Sequence, residues 1–220
     1  MLPRFLSRAA RARALAERRP EAAEALRFYA EIAAFQHSVD PEAPLGSLPR
    51  LVSLVEESGP ELLRAAAREI DLETCRRSLE DRTSPRSFFA RVLLQVASQP
   101  PRGPHSSGCP RCAHLPQAGC LRPEGDGTAL SLVCSLCFHE WPAFRERCSE
   151  CGGNVAFHEA AEHSYTRMRV CEGCRRYLHV VRLDVEPEAI PDVDEMAALS
   201  LDVWARERGY EKIFPNLIGI

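Results

Sequence analysis

Ten cysteines stand in the chain, and eight of them form four Cys-x-x-Cys pairs: Cys109/Cys112, Cys134/Cys137, Cys148/Cys151 and Cys171/Cys174. Ten cysteines scattered at random would give only about 0.4 such pairs, so the pattern demands a chemical explanation. A Cys-x-x-Cys on a tight turn brings two sulfurs to one side of the backbone, where the turn's amide N–H groups can donate to them and offset their charge. Two such knuckles complete a four-sulfur, tetrahedral site. Neighbouring pairs are expected to share a site because short connections favour neighbours. Cys109, Cys112, Cys134 and Cys137 then form one site with 21 residues between the pairs, and Cys148, Cys151, Cys171 and Cys174 form another with 19. Zinc ribbons use gaps of about 15–20 residues. Four sulfurs suit zinc or iron alike, and spacing by itself favours zinc, with iron–sulfur clusters a more distant reading.

Other uses of the pairs fit less well. A thioredoxin-like redox motif needs one pair beside a βαβ pattern, and disulfides need an exported chain. Cys75 and Cys120 read as buried apolar residues. His114 and His139 follow Cys112 and Cys137 by two residues and could replace a sulfur, but four cysteines already complete each site.

These knuckles need strands to carry them. Residues 129–133, 165–170 and 177–183 are β-branched or aromatic runs beside the cysteine pairs and predict strands. Residues 99–108 (Gln-Pro-Pro-Arg-Gly-Pro-His-Ser-Ser-Gly) suit neither helix nor strand and predict a linker. Before it, apolar positions at helical spacing predict helices over the first twenty residues (Leu2, Phe5, Leu6, Ala9 and Ala10 inward), 21–37, 60–69 (Leu62, Leu63 and Ala66 inward) and 86–98. After the ribbons, Asp192 with Glu195 looks like a capping box opening a final helix, with Met196, Leu199, Leu201, Val203 and Trp204 on its packing side and Gly209 as its stop. The expected fold is therefore α+β: an N-terminal helical bundle (1–98), a linker (99–108), two small zinc-ribbon β modules (109–144 and 145–184), and a C-terminal helix and tail packing on the core (185–220).

Composition narrows the function. Apolar residues make up 45% and charged ones 27%, with a net charge of −3, which is the balance of an ordinary globular chain. No apolar run approaches the length of a membrane span, so membrane insertion is not expected. Residues 105–220 hold 12 Arg and Lys against 17 Asp and Glu, a net of −5 that argues against nucleic acid as the partner. The arginine-rich start imitates a mitochondrial transit peptide, but its periodicity reads as a helix, and without an export signal the chain is expected in the cytoplasm with its thiols reduced.

The ribbon half resembles the formate dehydrogenase accessory protein family (FdhE). The resemblance runs through Cys109-Pro110-Arg111-Cys112, Pro116, Gly119, Cys134-Ser135-Leu136-Cys137, Glu140-Trp141, Arg145, Cys148-Ser149-Glu150-Cys151-Gly152, Cys171-Glu172-Gly173-Cys174, Tyr177-Leu178, Asp194, Leu199, Leu201-Asp202 and Gly209-Tyr210. It covers about half of the chain, and Ala113 and Phe138 stand where a knuckle often has glycine. The resemblance implies a non-enzymatic maturation factor with two rubredoxin-like modules that binds the catalytic subunit of a respiratory formate dehydrogenase. It also raises rubredoxin-type iron to equal standing with zinc in the two four-cysteine sites. Trp141, Phe144 and Arg145, with the acidic 184–195 stretch, are candidates for the partner surface, although aromatics such as Trp141 and Phe144 more often serve as ribbon core. A zinc-ribbon nucleic-acid-binding or regulatory protein is the alternative. Homodimerisation is left open.

Overall fold

A computed structural model of the chain describes residues 4–82, 84–97 and 108–219. Most of the expected linker, and Leu2 of the first helix, lie outside the described residues.

Among the described residues the helical half holds six α-helices: α1 (Arg4–Arg18), α2 (Ala23–His37), α3 (Leu48–Ser58), α4 (Glu61–Ala67), α5 (Leu72–Arg77) and α6 (Ser87–Leu94). Helix α1 buries Phe5, Ala9, Ala12, Leu15 and Ala16 at the three-and-four spacing of one helix face. It lies along α2, whose Leu26, Tyr29, Ile32 and Ala33 complete the seam. Two of these helices, α3 and α5, were not expected from the sequence. Helix α3 is short, with only Leu48, Leu51 and Val55 buried, and α5 is a six-residue turn fixed by its cap, where the Asp71 carboxylate accepts from the Thr74 amide at 2.7 Å. Two inward assignments are corrected. Leu62 is 67% exposed, because α4 turns Leu63 and Ala66 to the core instead, and Ala10 faces solvent while Arg8 takes the buried position.

The six strands of the ribbons merge into one sheet, which a short C-terminal strand makes seven-stranded among the described residues. Strands β1 (Pro116–Glu124), β2 (Gly127–Cys134) and β3 (Glu140–Pro142) form the first module, and β4 (Val155–Glu159), β5 (Thr166–Cys171) and β6 (Arg176–Arg182) the second. The order is β3-β2-β1-β6-β5-β4, antiparallel except at the join, where β1 runs parallel to β6 with Gly119 opposite Val180. A Cβ on Gly119 would stand 3.2 Å from Val180 Cγ2 and 3.3 Å from the Ser131 carbonyl, so the close join favours glycine.

After the sheet come α7 (Pro191–Asp194), a 3₁₀ turn at Glu195–Ala197, α8 (Leu199–Glu207) and β7 (Glu211–Lys212), which pairs parallel with the start of β6. The expected single helix is therefore broken, and its capping box is not made. Pro191 opens α7, and Asp192 is drawn away to a buried ion pair. Gly209 does end α8, with φ +72. Val203 is 55% exposed rather than packed, while Met196 and Leu201 are buried.

This segment wedges between helices and sheet and brings buried charge with it. Arg8 forks onto Asp192 with two contacts of 2.8 Å, and Tyr29 donates to the same carboxylate at 3.3 Å. Arg11 meets Asp194 at 2.6 Å, and the Tyr165 hydroxyl donates to Asp194 at 3.0 Å. Lys212, the one lysine of the sequence, lies 2.5 Å from Glu195 and 3.2 Å from Asp202, and the Tyr177 hydroxyl donates to Asp202 at 2.7 Å. Burial works against ionising Asp202, but His179 and Lys212 outweigh it and lower its pKa. Arg8 and Arg11 of α1 are thus fasteners, while Arg4, Arg13 and Arg18 are exposed. Val193, Met196, Ala197 and Leu217 join the core of the helical half. Arg91 of α6 donates to the Asn216 carbonyl and to Gln117 of β1, each at 3.0 Å, which ties helix, tail and sheet together.

Removing one partner of a buried pair leaves the other uncompensated, at a cost of about 3–5 kcal/mol. Asp192→Ala is therefore expected to lower stability by about that amount in urea titration, and Arg8→Met with Asp192→Leu to recover most of it.

Candidate metal centres

Each Cys-x-x-Cys folds into a turn whose second cysteine is followed by a residue in the left-handed region: Ala113 (φ 67), Phe138 (φ 58), Gly152 (φ 71) and Arg175 (φ 56). The chain then doubles back. Cys109 N–H donates to the His114 carbonyl at 2.9 Å, Cys134 N–H to the His139 carbonyl at 3.0 Å, and Cys148 N–H to the Gly153 carbonyl at 2.7 Å. That path aims further amides at the sulfurs. Arg111 N–H donates to Cys109 Sγ, Leu136 N–H to Cys134 Sγ, Glu150 N–H to Cys148 Sγ and Gly153 N–H to Cys151 Sγ, each at 3.4 Å. These donors favour thiolate over thiol and fix each sulfur's direction.

The eight cysteines gather in two groups, Cys109/Cys112/Cys134/Cys137 and Cys148/Cys151/Cys171/Cys174, with the four sulfurs of each group within 4.8 Å of one another. The nearer pairs are 3.4–3.6 Å apart, far beyond a sulfur–sulfur bond. Four sulfurs at about 2.3 Å from a central ion would stand about 3.8 Å apart, so each donor set suits a tetrahedral ion, zinc or iron. In the first group the Cys112 and Cys134 thiols point at Cys137 and hold its pKa down to about 2, while Cys134, facing Cys112 and Cys137, is pushed up. A bound cation would favour the thiolate form at all four sulfurs.

Surroundings distinguish the two groups. The first is packed with Leu79, Leu94, Leu136 and Trp141 between sheet and helices. Phe138 leaves its knuckle to meet α1, with its ring edge-on to Phe5 at 6.3 Å and under the guanidinium of Arg8 at 4.2 Å. The second group lies ahead of β4 and at the β5–β6 turn, with Cys151 exposed. Arg175 leaves its knuckle to lie 3.8 Å over the Tyr210 ring and to donate to the Arg208 carbonyl beyond α8. The side chains that follow Cys137 and Cys174 are thus docking handles. Sequence reasoning overlooked this role, although a bulky residue where a knuckle favours glycine was its visible signal.

Residues 146–218 match the model of the FdhE C-terminal domain. Among curated proteins, the chain is 30% identical over 116 residues to the FdhE homolog of Aquifex aeolicus, covering 50% of this chain and 41% of that protein. It is 36% identical over 119 residues to the homolog of Pseudomonas aeruginosa strain PAO1, covering 50% of this chain and 38% of that one. The matched part thus spans about two fifths of these relatives' own length. The crystal structure of the FdhE protein from Pseudomonas aeruginosa superposes with a TM-score of 0.71 at 23% identity, over 97% of this chain and 94% of that one, so the helical half shares the FdhE fold too.

Other residues singled out in the sequence fall in three places. Trp141 on β3 is half-buried, packed on both the first cysteine group and the Leu132, Leu178 and Ile213 cluster. Phe144 is 82% exposed, and Arg145 donates to Thr128 Oγ1 at 3.0 Å. Together with Pro110 and the Cys148–Gly152 knuckle, Trp141 and Phe144 line a cleft of about 610 Å³ between the two cysteine groups. Arg169 of β5 holds one wall by donating to the carbonyls of Phe144 and Arg147. Within the acidic stretch, Asp192, Asp194 and Glu195 are withdrawn as partner surface because they are buried in ion pairs, whereas Asp184 and Glu186 are half-buried and Glu188 is exposed. Cys75 and Cys120 are fully buried, their thiols pushed up to about 11 and about 12 by desolvation. Neither His114 nor His139 joins the cysteine groups among the described residues.

Reconstituted without oxygen, the protein is expected to hold two ions per chain by elemental analysis, and Cys109→Ser to hold one. Phe138→Gly relieves a left-handed side chain but removes the contact with α1, for an expected net loss of about 1–3 kcal/mol by thermal or urea unfolding.

Proposed function

We propose that the chain is a non-catalytic accessory factor that binds the catalytic subunit of a formate dehydrogenase and supports its maturation, in a reducing compartment such as the cytoplasm. The reading rests on the family resemblance. The observation that carries it structurally is the pair of four-cysteine groups fixed in one continuous sheet. Ions held by Cys109, Cys112, Cys134 and Cys137, and by Cys148, Cys151, Cys171 and Cys174, would stiffen both ends of that sheet, and a preorganised surface associates at lower ordering cost. The domains fit this use: a helical domain (1–98), two modules (109–144 and 145–184), and a C-terminal segment (185–220) that couples them.

The charged groups that could imitate acid–base machinery, Glu195, Asp202, His179 and Lys212, sit between sheet and α8 with side chains no more than 5% exposed. That supports a structural use. Among the described residues no helix is long and apolar enough to cross a membrane. The docking surface in this reading is the cleft lined by Trp141 and Phe144, with Arg145 at its margin. Iron of the rubredoxin type and zinc are both compatible with four sulfurs. The net of −5 over residues 105–220 disfavours the nucleic-acid alternative.

Pull-down of a formate dehydrogenase catalytic subunit with metal-loaded and metal-stripped protein tests the reading. Capture is expected from the loaded form and a clear loss on stripping. No capture by either form contradicts the proposal, and equal capture removes the role given to the metal.

A further inference from the structure

The two cysteine groups follow the same turn pattern, but what covers them differs. At the second x of the Cys-x-x-Cys nearest the helices stands Leu136, 1% exposed, over the sulfurs of the first group. The matching position in the second group is Gly173, which is exposed. A Cβ there would stand 3.7 Å from Cys171 Sγ and 3.9 Å from Cys151 Sγ, so the missing side chain is one that would lie over those sulfurs. Gly153 repeats the pattern, its Cβ position lying 3.3 Å from Cys151 Sγ and 3.5 Å from Cys171 Sγ. Cys151 is itself exposed, whereas Cys109, Cys112 and Cys134 of the first group are no more than 2% exposed. No apolar cluster among the described residues includes a cysteine of the second group. Its knuckles precede β4 and join β5 to β6 without such a cover, while the first group is sealed between sheet and helices by Leu79, Leu94 and the clamp of Phe138 on α1.

We propose that the two sites have separate roles: the inner ion is a permanent fastener between helices and sheet, and the outer ion is exchangeable, open at Cys151 to an incoming soft ligand such as a thiolate or a chelating nitrogen. This rests on the reading that both groups hold metal. In the exchange the incoming donor bonds to the ion as the Cys151 sulfur leaves, and that sulfur takes a proton from solvent. The ion's charge is unchanged and nothing is oxidised. Gly152 and Gly173 leave the approach open on either side of Cys151. The same access to the inner ion would require Leu136 and Trp141 to move out of a packed core.

The test uses full-length, zinc-loaded protein mixed with excess 4-(2-pyridylazo)resorcinol, with released zinc followed by absorbance and cysteine alkylation by iodoacetamide mapped by mass spectrometry. Two phases of one ion each are expected, separated by at least about tenfold in rate, since exchange through local opening follows local stability. Cys151 should be alkylated first and helical circular dichroism should persist after the fast phase. Gly173→Leu, whose Cβ meets the sulfurs at ordinary contact distances, should slow the fast phase alone, and Leu136→Gly should speed the slow one. A single phase, or alkylation that begins at Cys109, Cys112 or Cys134, overturns the division of roles. Fewer than two ions before chelator is added overturns the metal reading beneath it, and this inference with it.

Discussion

Four thiolates drawn within 4.8 Å of one another repel strongly unless a cation sits among them, and two such groups anchor this sheet. The knuckle turns, with their left-handed residues and inward amides, are geometries a short chain adopts at a cost. A shared ion would return that cost and hold the strands in register. The same demand explains the small modules. Each has too little apolar surface to fold on burial alone, and a structural metal commonly supplies what is missing.

What ties the modules to the rest is buried charge. Arg8–Asp192 and Arg11–Asp194 run from the first helix to the segment after the sheet, and Lys212 answers Glu195 and Asp202 on the far side of that segment. Apolar contacts would glue these surfaces together in many ways. A forked guanidinium–carboxylate pair accepts one geometry. The N-terminal helix, the C-terminal segment and the Cys134–Cys137 knuckle therefore meet in a fixed arrangement, with Phe138 under the Arg8 guanidinium as the link between charge and metal site. Tyr29 and Tyr165 complete the carboxylates' shells and keep their protons in doing so.

The cysteine grouping was legible because ligand spacing is local: a Cys-x-x-Cys turn is decided within a few residues, and nearest pairs had the shorter closure. The α+β class and the helices over 4–18 and 23–37 were legible from a repeated apolar face. Helices α3 and α5 were not, since short helices with few buried positions leave little periodicity. The merging of two ribbons through the parallel β1–β6 join depends on contacts between strands far apart in sequence, and only Gly119 hinted at close approach. Asp192 and Asp194 of the acidic stretch misled because charge in sequence reads as solvent exposure, and their arginine partners lie more than 180 residues away in α1. Val203 and Leu62 erred for a simpler reason, a helix face assigned about one position too wide.

The central claim is that each four-cysteine group holds one ion through sulfur alone. X-ray absorption at the metal edge of anaerobically loaded protein measures this directly. Four sulfur neighbours per ion at about 2.3 Å, with no nearby second metal, is the result expected of two separate tetrahedral sites. Mixed nitrogen or oxygen coordination, or a metal–metal distance showing a cluster, would contradict it.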